Sequence, residues 1–181
     1  MAEAQVRAAS AGDGLAIAWI QLEVWQTAFA GLLPEAVLGI PAADLAQAWT
    51  STIRSTAQTL LVATEGEQLV GFTQAALADD GPEVGEIRLL YVRPAWARRG
   101  HGGRLVAAAA AALRARGAEI GAWWIPDSDI ASQRFATSIG WEQSGGARIL
   151  DTGRAMLTER RWTGTLELVL GGFDGSDGGG Q

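Results

Sequence analysis

Residues 85–117 read GEIRLLYVRPAWARRGHGGRLVAAAAAALRARG, and this stretch decides the fold. Its opening, Gly85 to Val92, has the apolar character of a strand, and Pro94 stops it. Gly100, Gly102 and Gly103 form a glycine loop, and a helix follows from about Arg104 to Arg116, closed by Gly117. The glycines let the backbone turn sharply and leave main-chain N–H groups open to a ligand. The helix start adds unpaired donors and the positive end of the helix dipole, an arrangement suited to a pyrophosphate. Arg98, Arg99 and Arg104 add positive charge around it. No Gly-Lys-Ser/Thr follows, so this is not a P-loop. Nor is it well placed for a dinucleotide fold, whose glycine loop follows the first strand of a doubly wound parallel sheet.

Before this stretch, Gln5 to Ala9 reads as a strand and Asp13 opens an amphipathic helix that runs through Trp19, Trp25 and Phe29 to about Gly31. Pro34 opens a second helical piece, Pro41 interrupts it, and Ala42 to Ser55 is a further helix. Thr59–Thr64 and Leu69–Leu77 are strands joined by a turn at Glu65-Gly66-Glu67, and Asp79 to Pro82 turns into the strand Glu83–Val92. Beyond Gly117, Ile120–Ile125 reads as a strand, Asp127–Ile139 as a helix, and Trp141–Leu150 and Thr163–Leu170 as two last strands. Residues 145–161 read as irregular, a candidate loop over a cleft. The hairpins predict antiparallel pairing and the strand–helix–strand unit 83–125 predicts one parallel pair, hence a mixed α/β sheet rather than a doubly wound one.

Composition bounds the function. The chain has 181 residues, one domain's worth, of which 1–170 are expected to fold. Gly171 to Gln181 reads as a Gly-rich disordered tail. The formal net charge is -6, which argues against a general nucleic-acid binder. Every basic residue is Arg. With no Cys, thiolate nucleophiles, disulfides and Cys-ligated metals are excluded; with the single His101, no two-histidine metal site can form. No metal is expected. The apolar run Val106 to Leu113 is far shorter than the ~20 residues of a membrane span, and MAEAQVRAAS has no signal-peptide core. The expectation is a soluble cytoplasmic protein with no membrane partner.

The run Leu90-Tyr91-Val92-Arg93-Pro94 followed by Gly100 and Gly102 resembles the acetyl-CoA-binding motif of the GNAT superfamily of N-acetyltransferases. That motif opens on Arg or Gln three residues before its first glycine; here the position holds Ala97, with Arg98 and Arg99 beside it. A second family signature places Asn, then Ala, then Phe-Tyr, then Gly-Phe after the next strand. This chain keeps the spacing as Asp129, Ser132, Phe135-Ala136 and Gly140-Trp141, with Trp124 matching a common strand Trp. Trp25 to Pro34, WQTAFAGLLP, looks like a subgroup whose first helix pair ends in this turn.

The resemblance implies a GNAT fold: a mostly antiparallel twisted sheet with a splayed parallel pair and flanking helices. It also implies acetyl-CoA as co-substrate. By that resemblance Leu90, Tyr91 and Val92 hold the pantetheine arm with their backbone. Arg98, Arg99, Gly100, His101, Gly102 and Gly103 surround the pyrophosphate, with His101 read as a loop residue, and Asp129 stands at a further contact position. Glu86 is the candidate general base, because several family members carry a Glu there. An alkyl amine is only about one part in a thousand neutral at pH 7, so a proton acceptor is needed. Strand alternation nominally places Glu86, Arg88, Leu90 and Val92 on one face and Tyr91 on the other. The family's Tyr acid has no counterpart at Ala136. Trp25 and Phe29 are candidates for walls of the acceptor cleft.

The expected function is acetyl transfer to a primary amine, of a small molecule, by direct attack in a ternary complex. Homodimers, common in that family, are the expected assembly. Two other readings stay open: a GNAT-like CoA-binding module without catalysis, and an acyltransferase for longer acyl-CoA or a hydroxyl acceptor.

Overall fold

A computed structural model describes residues 4–79 and 81–168. The sequence-expected tail, 171–181, and the end of the expected last strand lie outside these residues, as does Asp80 of the second turn. Seven strands form one sheet in the order β1-β2-β3-β4-β5-β7-β6. They are β1 Ala4–Ala8, β2 Gln58–Glu65, β3 Gln68–Ala78, β4 Gly81–Val92, β5 Ile120–Pro126, β6 Glu142–Asp151 and β7 Met156–Thr165. All neighbours pair antiparallel except β4 and β5. The mixed sheet with one parallel pair is therefore as the sequence reading expects.

Helices α1 (Gly14–Ala28), α2 (Glu35–Leu38) and α3 (Ala42–Ile53) precede β2; α4 (His101–Ala115) connects β4 to β5, and α5 (Ile130–Ser138) connects β5 to β6. On one face, Ile17, Ile20 and Val24 of α1 and Trp49 of α3 pack on Leu60, Val62 and Phe72. On the other, Ala109, Ala110 and Leu113 of α4 pack on Ala75, Ile87, Trp123 and Ile125. The buried α4 positions Leu105, Ala109 and Leu113, with Val106 and Ala110, recur at helical spacing. The alanines bring the helix close: a Cβ added at Gly85 would meet Leu113 Cδ1 at 2.8 Å. Strand β3 is buried on both faces, so Val70 to Thr73 form a continuous buried run.

Four boundaries differ from expectation. Helix α4 starts three residues early, at His101, because Gly100 takes the left-handed conformation (φ 82°) that turns the chain into the helix. Helix α5 starts late, at Ile130, because Asp129 caps it through the amide of Ser132 at 3.0 Å. Strand β4 begins at Gly81, so the turn before it is shorter than Asp79 to Pro82. The largest correction concerns 145–161, which is not irregular but largely strand, the hairpin β6–β7. Glu159, Arg160 and Arg161 made that segment read as loop. In the fold Glu159 pairs with Arg148 at 2.6 Å and Arg160 with Asp127 at 3.2 Å, so the strand carries its charges partnered.

Candidate active site

The parallel pairing of β4 with β5 covers only Val84↔Ile120 to Ile87↔Trp123. Beyond Ile87 the two strands part, while β4 stays paired to β3 as far as Val92↔Gly71. The β5-facing backbone edge of 88–92, including Leu90, Tyr91 and Val92, thus has no strand partner among the described residues. It can accept an extended ligand as an added strand does.

The loop above this opening has the geometry of an anion-binding turn. Arg98 (φ 63°) and Gly100 (φ 82°) are both left-handed and flank Arg99, and such alternation turns successive N–H groups toward one side. No side chain caps the start of α4. Nothing lies within 4 Å of a Cβ added at Gly102, so the space over the first turn is open. Arg99 is held over the Trp96 ring at 4.7 Å, and Arg104 donates to the Arg99 carbonyl at 3.1 Å. These contacts fix the arginines that frame the loop.

A bulge in β4 decides where the catalytic candidate points. Gln74 pairs with Leu89 and Ala75 with Ile87, so Arg88 is the extra residue. Alternation therefore breaks there. Ile87 faces α4, as do Leu90 and Val92 beyond the bulge, whereas Leu89 and Tyr91 face α1 and α3. Glu86 pairs with Ala76, on the α1 side of the sheet. The expected grouping of Glu86 with Leu90 and Val92 is thus overturned: Glu86 shares a face with Tyr91. Its carboxylate lies 3.6 Å from Arg88, which also lies 3.8 Å from Asp79. Only 19 % of the Glu86 side chain is exposed.

Trp25 and Phe29, at the end of α1, meet Tyr91. The Trp25 indole N–H donates to the Tyr91 hydroxyl at 3.3 Å, and the Phe29 ring centroid stands 6.4 Å from that of Tyr91. Burial pushes the Tyr91 pKa up from its ordinary value, the charges of Asp129 and Glu159 add to the rise, and the Trp25 bond opposes it. The phenol is therefore protonated at neutral pH. At the far side, Thr152 in the β6–β7 turn donates to the Leu32 carbonyl at 2.6 Å. The hairpin tip thus reaches the turn after α1 and walls the same face.

The Acetyltransferase (GNAT) family matches residues 20–141, two thirds of the chain. The chain belongs to the GNAT acetyltransferase family. Among solved GNAT-fold structures, yncA of Salmonella typhimurium, with its cofactor acetyl-CoA, is 19% identical (TM-score 0.71), covering 91% of this chain and 94% of that one. The paia N-acetyltransferase of Thermoplasma acidophilum, in complex with coenzyme A, is 16% identical (TM-score 0.68), covering 90% and 99%. The ribosomal-protein-alanine N-acetyltransferase of Brucella melitensis is 19% identical (TM-score 0.73), covering 89% and 99%. At these identities the likeness speaks for the fold. No curated protein matches the chain.

The GNAT assignment sharpens the departures. His101 is not a loop residue: it is the first residue of α4, 2% exposed, with its ring turned inward. Its Nε2 lies 3.0 Å from Glu65 Oε2, and Nδ1 is buried without a partner. The side chain ties the helix start to Glu65 at the end of β2. Asp129 spends its carboxylate within its own helix, accepting from the Ser132 amide at 3.0 Å and hydroxyl at 2.7 Å. Ala136 is fully buried, and its carbonyl accepts from the Trp141 amide. No helix among the described residues is long and apolar enough to cross a membrane.

Trp124 and three residues that the sequence reading passed over, Arg148, Glu159 and Arg161, gather on the same face as Glu86 and Tyr91. Trp124 of β5 lies opposite Arg161 of β7, and Arg148 of β6 lies opposite Glu159 of β7. The alternation Leu157, Glu159, Arg161 against Thr158, Arg160, Trp162 was the available signal.

Proposed function

We propose that the chain acetylates a primary amine of a small molecule, using acetyl-CoA as co-substrate, by direct attack in a ternary complex. The observation that carries this reading is the conjunction of an uncapped, glycine-opened helix start with the unpaired edge of β4 next to it. Acetyl-CoA and coenzyme A in two structures of the same fold support it. The amides of residues 98–103 bind the pyrophosphate; the backbone of Leu90, Tyr91 and Val92 binds the pantetheine. The side chains of His101 and Asp129 are left out of that contact. In the transfer the amine nitrogen bonds to the thioester carbonyl carbon, the carbon–sulfur bond breaks, and CoA leaves as thiolate. Glu86, on the acceptor side of the sheet, takes the amine proton directly or through water. Trp25 and Phe29 border the acceptor. With no Cys in the chain, an acetyl-cysteine intermediate has no place. The protein works in the cytoplasm on a soluble acceptor, without metal, nucleic acid or membrane, and a homodimer suits the family. Residues 1–170 form the catalytic domain.

The test is calorimetric titration with acetyl-CoA, followed by CoA release from a panel of amines for wild type and Glu86→Gln. Micromolar binding in both, with kcat reduced about 10²–10⁴-fold in the variant, is the expected outcome. Unchanged turnover in Glu86→Gln removes it as the base, and absence of binding to folded protein removes the reading.

A further inference from the structure

Helices α1 and α3 pack on β2, β3 and β4. On the same side, the sheet beyond β4 presents Trp124, Arg148, Glu159 and Arg161. We infer that this cluster is the acceptor subsite, and that the acceptor is an amine that also carries a carboxylate, an α-amino acid or close analogue. The inference rests on the acetyltransferase reading above and names the substrate class of that site.

Position comes first. Trp124 stands one residue past the last β4–β5 pair, Trp123, so the cluster borders the opening between the strands. Tyr91 shares the cluster's face, on the α1 side of β4 with its hydroxyl accepting from the Trp25 indole. The Thr152–Leu32 contact closes the outer side.

The chemistry of Arg148 points to a carboxylate. Its guanidinium lies over the Trp124 ring at 4.5 Å. Its Nε donates to Glu159 Oε2 at 2.6 Å, and Glu159 is itself 7% exposed. A purely structural Arg–Glu pair gains most from the two-pronged fork. Here the pair engages Nε, and the two terminal nitrogens have no protein partner among the described residues. Half of the side chain is exposed. A guanidinium held over an indole, clamped at one nitrogen and free at the others, is pre-ordered to grip a planar carboxylate. Arg161, 6.0 Å from the same ring, brings a second guanidinium. Glu86 on the same face supplies the opposite sign. A zwitterion presents its carboxylate to Arg148 and its ammonium to the acidic side, whereas a plain alkylamine offers the open nitrogens of Arg148 nothing.

The test uses the full-length protein at saturating acetyl-CoA and compares each of the twenty L-amino acids with its α-carboxamide by CoA release. The expected result is turnover of at least one amino acid with kcat/KM tenfold or more above its amide. Arg148→Met alone leaves Glu159 buried and unpaired, so the double variant Arg148→Met/Glu159→Gln is measured too. In either variant that folds, the acid's KM rises far more than its kcat falls, and the preference over the amide collapses. Equal or better turnover of amides, or an unchanged preference in the folded double variant, overturns the inference. Acetyl-CoA binding with no turnover of either panel overturns it too while the family stands; absent acetyl-CoA binding takes the underlying reading with it.

Discussion

Replacing Gly102 by Asp separates the stability of α4 from its proposed task. Gly102 is the second residue of the helix, its φ is not left-handed, and nothing lies within 4 Å of an added Cβ. The first turn carries no acidic residue. An Asp there therefore meets no steric obstacle, complements the helix dipole by roughly 0.3–1 kcal/mol, and recovers a few tenths of Gly's helix penalty. The sum, about 1 kcal/mol, raises the melting temperature by roughly 2–4 °C in a domain of this size. The same carboxylate would stand where the pyrophosphate binds. Two like charges at about 4 Å cost about 4 kcal/mol at an effective dielectric of 20, and about half that with solvent screening. Acetyl-CoA affinity should then fall roughly 30- to 1000-fold, since each 1.4 kcal/mol is tenfold. Differential scanning fluorimetry reads the first effect and calorimetric titration the second. Gly100→Ala is the control of opposite kind: φ 82° makes any side chain strained, so it loses stability. A Gly102→Asp protein that is more stable yet binds acetyl-CoA within twofold of wild type refutes the placement of the phosphates at this helix start.

Two further predictions concern the scaffold. Asp13 accepts from Arg7 at 2.7 and 2.8 Å and from the Ser10 amide at 2.6 Å; the Arg7 bonds do most to lower its pKa to about 2. Because the folded value lies below the unfolded 3.8, the stabilisation is complete above the unfolded value and disappears as pH falls through 2. With solvent screening it amounts to about 1–2 kcal/mol, so thermal melts from pH 5 to pH 2 should slope less in Asp13→Asn than in wild type; parallel slopes count against the pair. At Gly121 the Trp141 indole occupies the space of a Cβ, as it does at Gly164. Gly121→Val should cost about 1–3 kcal/mol or more by overpacking, read as a lower melting temperature, and an unchanged melt would mean that the ring is free to move.

The motif strand, glycine loop and helix were legible because glycine, proline and the apolar run each impose their own geometry. Three features were not. The bulge at Arg88 is invisible to period-2 alternation, which assumes an unbroken pleat, and it moves Glu86 to the other face. The start of α4 was misplaced because helix formers mark where a helix runs, whereas the left-handed Gly100 marks where it begins. Strand β6 was legible as Trp141–Leu150, but the first half of β7, Met156 to Trp162, was hidden by the charges of Glu159, Arg160 and Arg161.

The departures from the family signature have a common physical account. Ala97 stands exposed, and its amide donates to the Pro94 carbonyl, so the turn it occupies is made by backbone. Asp129 keeps the capping part of its position and gives up the donor that an Asn would offer. Ala136 fills a packed site beneath Trp141, where the chain needs a small residue and a carbonyl rather than a phenol. In each case the side chain differs and the backbone duty is kept. The opening between β4 and β5 and the amides of α4 are likewise backbone features, held in place by Gly100, the bulge and the α4 alanines. Recognition that rests on main-chain groups survives side-chain replacement, which accords with a fold kept at 14–19% identity to several structural neighbours. The chemistry that distinguishes it must then lie in side chains that the signature does not include, and on the face proposed for the acceptor those are Arg148, Glu159 and Arg161.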